Sequence, residues 1–350
     1  CSMEQNRGTW GSNLGFVLAA IGSAVGMGNL WGLPYKMGAN GGFPFLVIYL
    51  ILVITCGVVV MGVEMTIGRN TKKSPILALA ALGKKNKFVG VFGVACSFLI
   101  MGFYSILIGY AFRYFFGFGA EMFGISGFAG LSGGDFFGVF TGNVGGVIGY
   151  TALTFILCAL IVASGVRGGI ERFNLIGIPA LFLILIGIII YGLTLPGSGQ
   201  GLTFMFSSKG MEMVGTDFNF FTALRVAGGQ MLFSLSLGMG CMITYGSYME
   251  DKSNISKNAW IVPAADTMAA LLAGLAIFPV VFAMGQNPAG GPGLLFITMH
   301  NTFVSMGSIG NLIGTLFYLL VIFAGMSSAV SLMEVASANF IDMAIEKNKP

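Results

Sequence analysis

Eight stretches of the chain are apolar over helical length: residues 13–36, 43–68, 88–118, 146–164, 172–195, 219–248, 259–284 and 309–343. A helix needs about 20 apolar residues to cross the hydrocarbon of a bilayer, so each is a candidate span. The third and eighth exceed that length, which predicts tilting or projection beyond the lipid. The segments between them alternate in character. One set carries lysine and arginine, and the other is Gly/Phe-rich (117–145), Gly/Ser-rich (196–218) or Gly/Pro-containing (285–308). The pattern predicts an all-α polytopic membrane protein forming one transmembrane domain over 1–350.

Two of the eight stretches are interrupted. The first contains IGSAVGMGNLWGLP (21–34), with Gly22, Ser23, Gly26, Gly28 and Asn29 inside eight positions. The sixth contains GQMLFSLSLGMGCMITYGSY (229–248), cut at Ser234, Ser236, Gly238 and Gly240. Glycine is a poor helix former and leaves main-chain polar groups open to approach. In hydrocarbon such groups persist only where protein or a wet cavity satisfies them. One glycine cluster is better explained by close helix packing. Two clusters, each beside a hydroxyl or amide, point to paired broken helices around a ligand site. Freed carbonyls can strip water from a small cation, and half-helix N-termini attract an anion.

Further polar residues lie in the spans. Ser327, Ser328 and Ser331 sit close to one face of the eighth, although serines there often bond back to their own helix. Asp266 stands in an apolar run, and a carboxylate at that depth is a functional candidate by default. Hydroxyls, amide oxygens, carbonyls and one carboxylate suit an alkali cation better than zinc or copper.

Composition narrows the class. The 350 residues are 56% apolar and 9% charged, whereas soluble domains carry about 25% charged residues. A net charge of +4 in so apolar a chain marks topology and not nucleic-acid binding. Thirteen of the 17 basic residues fall on one side (Arg7, Arg69, Lys72, Lys73, Lys84, Lys85, Lys87, Arg167, Arg172, Lys252, Lys257, Lys347, Lys349), which predicts a cytoplasmic N-terminus. Five scattered cysteines show no CxxC spacing, His300 falls in a polar loop, and no nucleophile elbow, HExxH or phosphate loop occurs, so an enzyme is not expected. Glu64 and Glu334 read as helix-to-helix hydrogen-bonding groups.

The blocks IGSAVGMGNLWGLPY, GVEMTIGRN, GVFGVACSFLIMGFY, RGGIERFNLIGIPALF, GQMLFSLSLGMGCMITYGSY and FAGMSSAVSLMEV together resemble the neurotransmitter:sodium symporter family, in its bacterial amino-acid-transporting branch with the LeuT fold. The resemblance implies an inverted-repeat architecture, with a first repeat at about 13–195 and part of a second at about 219–345. It also implies sodium-coupled import of an amino acid across the inner (plasma) membrane by alternating access. Broken helices with a midplane site are this fold's known property.

Carried over by position, a first sodium ion would meet the Ala24 carbonyl, Asn29, Ser234, Asp266 and the substrate carboxylate. A second would meet carbonyls of Gly22, Val25 and Ala324 and hydroxyls of Ser327 and Ser328. The substrate carboxylate would meet the amides near Met27 and Gly28 and the Tyr104 hydroxyl. Its ammonium would face Ala24, Phe233, Ser234 and Ser236. The side-chain pocket would comprise Ser23, Ile100, Tyr104, Phe233, Met239, Ser328 and Leu332. Tyr104 and Phe233 would form a thin lid, and Arg7, Trp10, Tyr248 and Asp342 an inner gate.

Three positions depart from the family pattern. Gly32 stands where an outer-gate arginine is usual, and Lys36 one turn on is its expected substitute. Asp266 replaces a common asparagine, which predicts that chloride is not required. The chain stops after its eighth span, short of the eleven or twelve usual in the family. No charge is expected against the substrate side chain, so a neutral, hydrophobic or aromatic L-amino acid is predicted. The alternative is a non-transporting amino-acid sensor, assembly partner or inactive fragment that keeps the pocket.

Overall fold

The structure is a computed structural model describing residues 8–128, 130–209, 212, 218–285 and 293–347. Helices α1 (Asn13–Ala24) and α2 (Leu33–Ala39) form one bent crossing, turning by 44° and linked through a wide π-type turn at Gly28–Gly32. A second crossing runs through α3 (Phe43–Leu52) and α4 (Val58–Thr71), followed by the short α5 (Pro75–Leu82). Then come α6 (Lys87–Met122), α7 (Gly133–Gly142), α8 (Val144–Ala163), α9 (Arg172–Thr194) and α10 (Gly199–Phe206). The last part comprises α11 (Phe220–Ser234), α12 (Cys241–Ser247), α13 (Ile255–Ala283), α14 (Met299–Ser305) and α15 (Ser308–Lys347).

Among the described residues, six helices and the bent α1–α2 pair are long and apolar enough to cross a membrane. The remaining expected crossing, the sixth, is split into α11 and α12 by the non-helical stretch 235–240. The two long helices expected from sequence are present: α6 has 36 residues and α15 has 40. At about 1.5 Å per residue both outrun a hydrocarbon layer of about 30 Å. They pack side by side and α15 also lies along α9, giving the bundle a straight scaffold beside the broken helices.

Local chemistry starts these helices. Ser12 caps α1 by accepting from the Gly15 amide, and Asn143, Asn219 and Asn254 cap α8, α11 and α13 in the same way. Each satisfies one orphan amide of a helix start. Glycine sets the closest approach between helices: a Cβ added to Gly68 of α4 would lie 2.0 Å from the Ile243 carbonyl of α12.

Two expectations need correction. The Gly/Phe-rich loop 117–145 contains α7, capped by Ser132, and the loop 285–308 contains α14 with a π-type turn before it. His300 does not lie in a polar loop. It is fully buried on α14 among the rings of Tyr114, Phe118, Phe128 and Phe136, with centroids 4.4–6.0 Å away. Rings supplied from three distant segments make that environment apolar, and no local pattern announces it.

Gly68→Ala is expected to force α4 and α12 apart and to cost about 1–3 kcal/mol, the usual penalty of overpacking. Gly102→Ala, on an open face of α6, is the control. Thermal unfolding in detergent should show a lowered midpoint for the first variant and an unchanged or raised one for the second.

Candidate functional site

The two interruptions meet. Val25, Gly26 and Met27 separate α1 from the π-type turn, while Ser236, Gly238 and Gly240 take the left-handed region, at φ 52°, 77° and 82°. Glycine enters that region freely; Ser236 does so at a cost that marks a held conformation. Its hydroxyl donates to the Ser23 carbonyl at 2.8 Å, tying one break to the other.

Between the breaks lies a small cavity. It is lined by Ser23, Ala24, Gly28, Ile100, Tyr104, Phe233, Ser234, Ser236, Met239, Ser328 and Leu332, with Gly26 added. Of the expected substrate contacts only Met27 is outside the lining. Its amide donates to the Tyr104 hydroxyl at 2.8 Å, while its side chain packs towards Gly325. Gly26 has no room for a side chain, since an added Cβ would lie 2.5 Å from Ser328 Oγ and 2.6 Å from the Tyr104 hydroxyl. Tyr104 and Phe233 approach edge to face, with ring centroids 6.5 Å apart.

One flank of the cavity gathers a carboxylate with its donors. Asp266 is fully buried and accepts from the Asn29 amide at 2.8 Å, the Ser234 hydroxyl at 3.0 and 3.2 Å, and Tyr49 at 3.4 Å. Asn29 also donates to the Asp266 carbonyl, and its own oxygen accepts from Gly26 N. Asn29, Ser234 and Asp266 thus lie together, and Ala24 lines the cavity beside them.

The other flank joins α1 to α15. Ser327 Oγ lies 3.5 Å from the Val25 carbonyl and 3.0 Å from that of Ala324. Ser328 Oγ lies 3.4 Å from the carbonyls of Gly22 and Ala324 and 3.1 Å from that of Ser23. All five expected oxygens therefore converge. A hard cation holding oxygens at about 2.3–2.6 Å separates neighbouring ligands by about 3.3–3.7 Å in octahedral geometry. The observed spacings approach that range, and the donor set contains only oxygen, so these residues fit an alkali cation.

The expected gate residues are spread over two ends. Trp10 donates to the Tyr245 carbonyl at 3.1 Å and stacks edge to face on Tyr248, whose hydroxyl donates to Glu334 at 2.5 Å. Asp342 accepts from the Ser74 amide at 2.6 Å; Arg7 lies outside the described residues. At the opposite end, Lys36 Nζ donates to Gln230 Oε1 at 2.6 Å and lies 6.0 Å over the Phe233 ring. Gln230 Nε2 in turn donates to the Gly28 carbonyl at 2.7 Å. Gly32 leaves space for this, since an added Cβ would lie 3.0 Å from Gln230 Oε1.

Several participants escaped the sequence reading. Gln230 carried a signal, an amide four residues before Ser234 on the same helical face. Ser97, donating to the Met239 carbonyl at 2.6 Å, looked like an ordinary helix serine. Ser331, which the sequence sets beside Ser327 and Ser328 on one face, pairs with Ser23 at 2.8 Å. Tyr49 gave no signal. Glu64 does what a helix-bridging acid should, accepting from the Gly238 amide at 2.7 Å.

Comparison with known proteins gives the family and the fold. The profile described as the sodium:neurotransmitter symporter family matches residues 7–122 and 140–349. An uncharacterised sodium-dependent transporter of Methanocaldococcus jannaschii is 34% identical over 96% of this chain and 70% of its own length. The uncharacterised sodium-dependent transporter YhdH of Bacillus subtilis is 33% identical over 96% and 73%. The crystal structure of MhsT in complex with L-phenylalanine superposes with a TM-score of 0.84 at 39% identity, covering 96% of this chain and 75% of that one. This chain, a multi-pass α-helical membrane protein of the LeuT fold, belongs to the sodium:neurotransmitter symporter family.

Proposed function

We propose that the chain is a sodium-coupled symporter that imports a neutral, hydrophobic or aromatic L-amino acid across the inner membrane, with its N-terminus in the cytoplasm. The observation that carries this reading is one cavity between two broken helices, flanked on both sides by converging oxygen ligands. The zwitterion's carboxylate would lie against the Tyr104 hydroxyl and the amides of the first break. Its ammonium would face the main chain around Ala24 and Phe233. Its side chain would extend among Ile100, Met239 and Leu332, where no charge awaits it. Methionine is flexible and polarizable, which suits a large apolar or aromatic group. The ligand of MhsT, L-phenylalanine, is of this class.

Coupling follows from shared ligands. The first cation sits between Asp266 and the substrate carboxylate, so each raises the other's affinity. The second ties α1 to α15 and disfavours movement of the inner half of the first crossing. Its departure removes that bias, a population shift by differential binding. Inward sodium movement draws about 2.3 kcal/mol per charge per 100 mV of membrane potential.

Proteoliposomes with an inward sodium gradient should accumulate radiolabelled L-phenylalanine or L-leucine, and replacing sodium by potassium should abolish uptake. Binding without accumulation would instead identify a non-transporting receptor. Substituting gluconate for chloride should leave the unchanged protein's uptake intact, because Asp266 supplies the fixed negative charge. Asp266→Asn should weaken sodium dependence by about tenfold, a loss of about 1.4 kcal/mol, and make uptake respond to chloride. Lys36→Ala or Gln230→Ala should weaken substrate affinity by roughly three- to tenfold, as expected for a partly solvated charge-assisted bond. Sodium cooperativity should stay unchanged, which equilibrium binding would measure.

A further inference from the structure

The segment Leu294–Ser305, a π-type turn running into α14, is apolar but shorter than a membrane crossing requires. It carries the single histidine of the chain, His300, whose side chain is fully buried. Phe128 lies edge to face at 4.4 Å, Phe118 at 5.5 Å and Tyr114 at 5.7 Å, while Phe136 stacks parallel at 6.0 Å, centroid to centroid. Neither ring nitrogen has a hydrogen-bond partner among the described residues, and neither has the adjacent Tyr114 hydroxyl. Buried polar groups are nearly always bonded, so three unpaired polar atoms in one aromatic box are unusual. A phenylalanine at position 300 would fill the box without that cost.

The two forms of the imidazole fare differently there. The neutral ring loses hydrogen bonds to water, whereas the imidazolium would also lose the hydration of its charge. The surrounding groups give little relief. The segment itself holds no acid, and its Asn301 oxygen accepts from the Gly133 amide at 2.7 Å. From α6 come Tyr114, Arg113 and Glu121. The Arg113 guanidinium lies 4.8 Å over the Phe136 ring and 6.0 Å over that of Phe128, so the rings that could attract an imidazolium already serve a cation. Glu121 accepts from the amides of Gly127 and Phe128 at 2.7 and 3.3 Å, holding the loop that carries Phe128. Asp135 of α7 is exposed and accepts from the Ser132 hydroxyl at 2.6 Å. Tyr318 of α15 donates to the Leu295 carbonyl at 2.8 Å. Burial accordingly lowers the His300 pKa to about 4, against a smaller opposing pull from Asn301 and Glu121.

We propose that His300 makes Leu294–Ser305 an acid-released clasp: neutral, its ring seats the segment against α6 and α7; protonated, it leaves the aromatic box and the segment lifts. The seated state binds fewer protons than the released one, in which the imidazole returns to its ordinary pKa of about 6.5. Seating is therefore fully favoured above about pH 6.5 and weakens as the pH falls from there towards about 4. Two hydrogen bonds then remain, from the Gly133 amide to Asn301 and from Tyr318 to the Leu295 carbonyl, and water can replace both at little net cost. The clasp needs neither sodium nor substrate, so it stands or falls apart from the transport reading above.

The test is amide hydrogen exchange on the purified protein in detergent at pH 7 and pH 5, each rate divided by the intrinsic chemical rate at that pH. In the unchanged protein, opening of 294–305 should rise about tenfold or more at pH 5, while amides of central α6 around Ile108 keep their protection. His300→Phe, which fills the box with an uncharged ring, should hold opening within about twofold between the two pH values. If that variant cannot be purified, His300→Leu is read by the same criterion. A flat response in the unchanged protein overturns the clasp. An acid-induced rise that persists in the phenylalanine variant also overturns it, because a carboxylate such as Glu121 or Asp135 would then be the titrating group. A rise shared equally by central α6 is general loosening and counts against it in the same way.

Discussion

Main-chain amides and carbonyls released from a helix inside hydrocarbon must find other partners, and in this protein the two breaks and their neighbours supply them. The Gly238 amide is taken by Glu64, the Met239 carbonyl by Ser97, the Gly28 carbonyl by Gln230 and the Ser23 carbonyl by Ser236. The Gly26 amide goes to Asn29 and the Met27 amide to Tyr104. Apart from Asn29, which follows the first break directly, these partners come from α4, α6, α11 and the facing break, so the unwound main chain acts as the hub on which four segments converge. Remove one partner and a polar group is stranded where water cannot reach it, at a cost of about 1–3 kcal/mol.

The same requirement explains why the site is chemically suited to a zwitterion with alkali ions. Groups that satisfy a broken helix without a charge are hydroxyls, amides and carbonyls, which are also hard ligands. Ser327 and Ser328 illustrate the double use: bound to carbonyls of α1 they close the seam, and around an ion they become ligands alongside those carbonyls. Two carboxylates depart from this: Glu64 on the Gly238 amide, and Asp266, which has Asn29, Ser234 and Tyr49 directed at it. Three donors hold its geometry fixed, and in the proposed cycle a cation neutralises it.

What was legible in sequence was local. Apolar runs gave the crossings, and glycine beside serine or asparagine in an apolar run gave the breaks, because helix propensity and hydropathy are read residue by residue. The long α6 and α15 were visible as runs exceeding a bilayer. Contacts made across the bundle were not. Tyr49 is one aromatic among many in its helix until Asp266, 217 positions later, is placed beside it. His300 reads as a loop residue because Thr298, Asn301 and Thr302 flank it, whereas its neighbours in space are four aromatic rings. Helix α7 was hidden because glycine-rich sequence argues against a helix, and the Ser132 cap with packing of Phe136 and Phe140 overrode that preference.

The distribution of polar contacts also bears on which parts can move. Helix α15 is buried along most of its length and packs on α6 and α9 through apolar side chains, so displacing it would expose a large hydrophobic face. The inner half of the first crossing is also buried, through Phe16, Val17, Ala19, Ala20 and Ile21, but its start carries polar fastenings in addition. Its start is fastened by Glu171 to Gly11 and Ser12, and by Trp10 to the Tyr245 carbonyl. Water can replace such bonds at little net cost, whereas it cannot replace apolar packing. Its outer end stops at the unwound residues 25–27, where rotation needs no intact helix to be broken. A segment hinged at one end by extended main chain, and latched at the other by exchangeable hydrogen bonds, is the element that an ion joining α1 to α15 can hold or release.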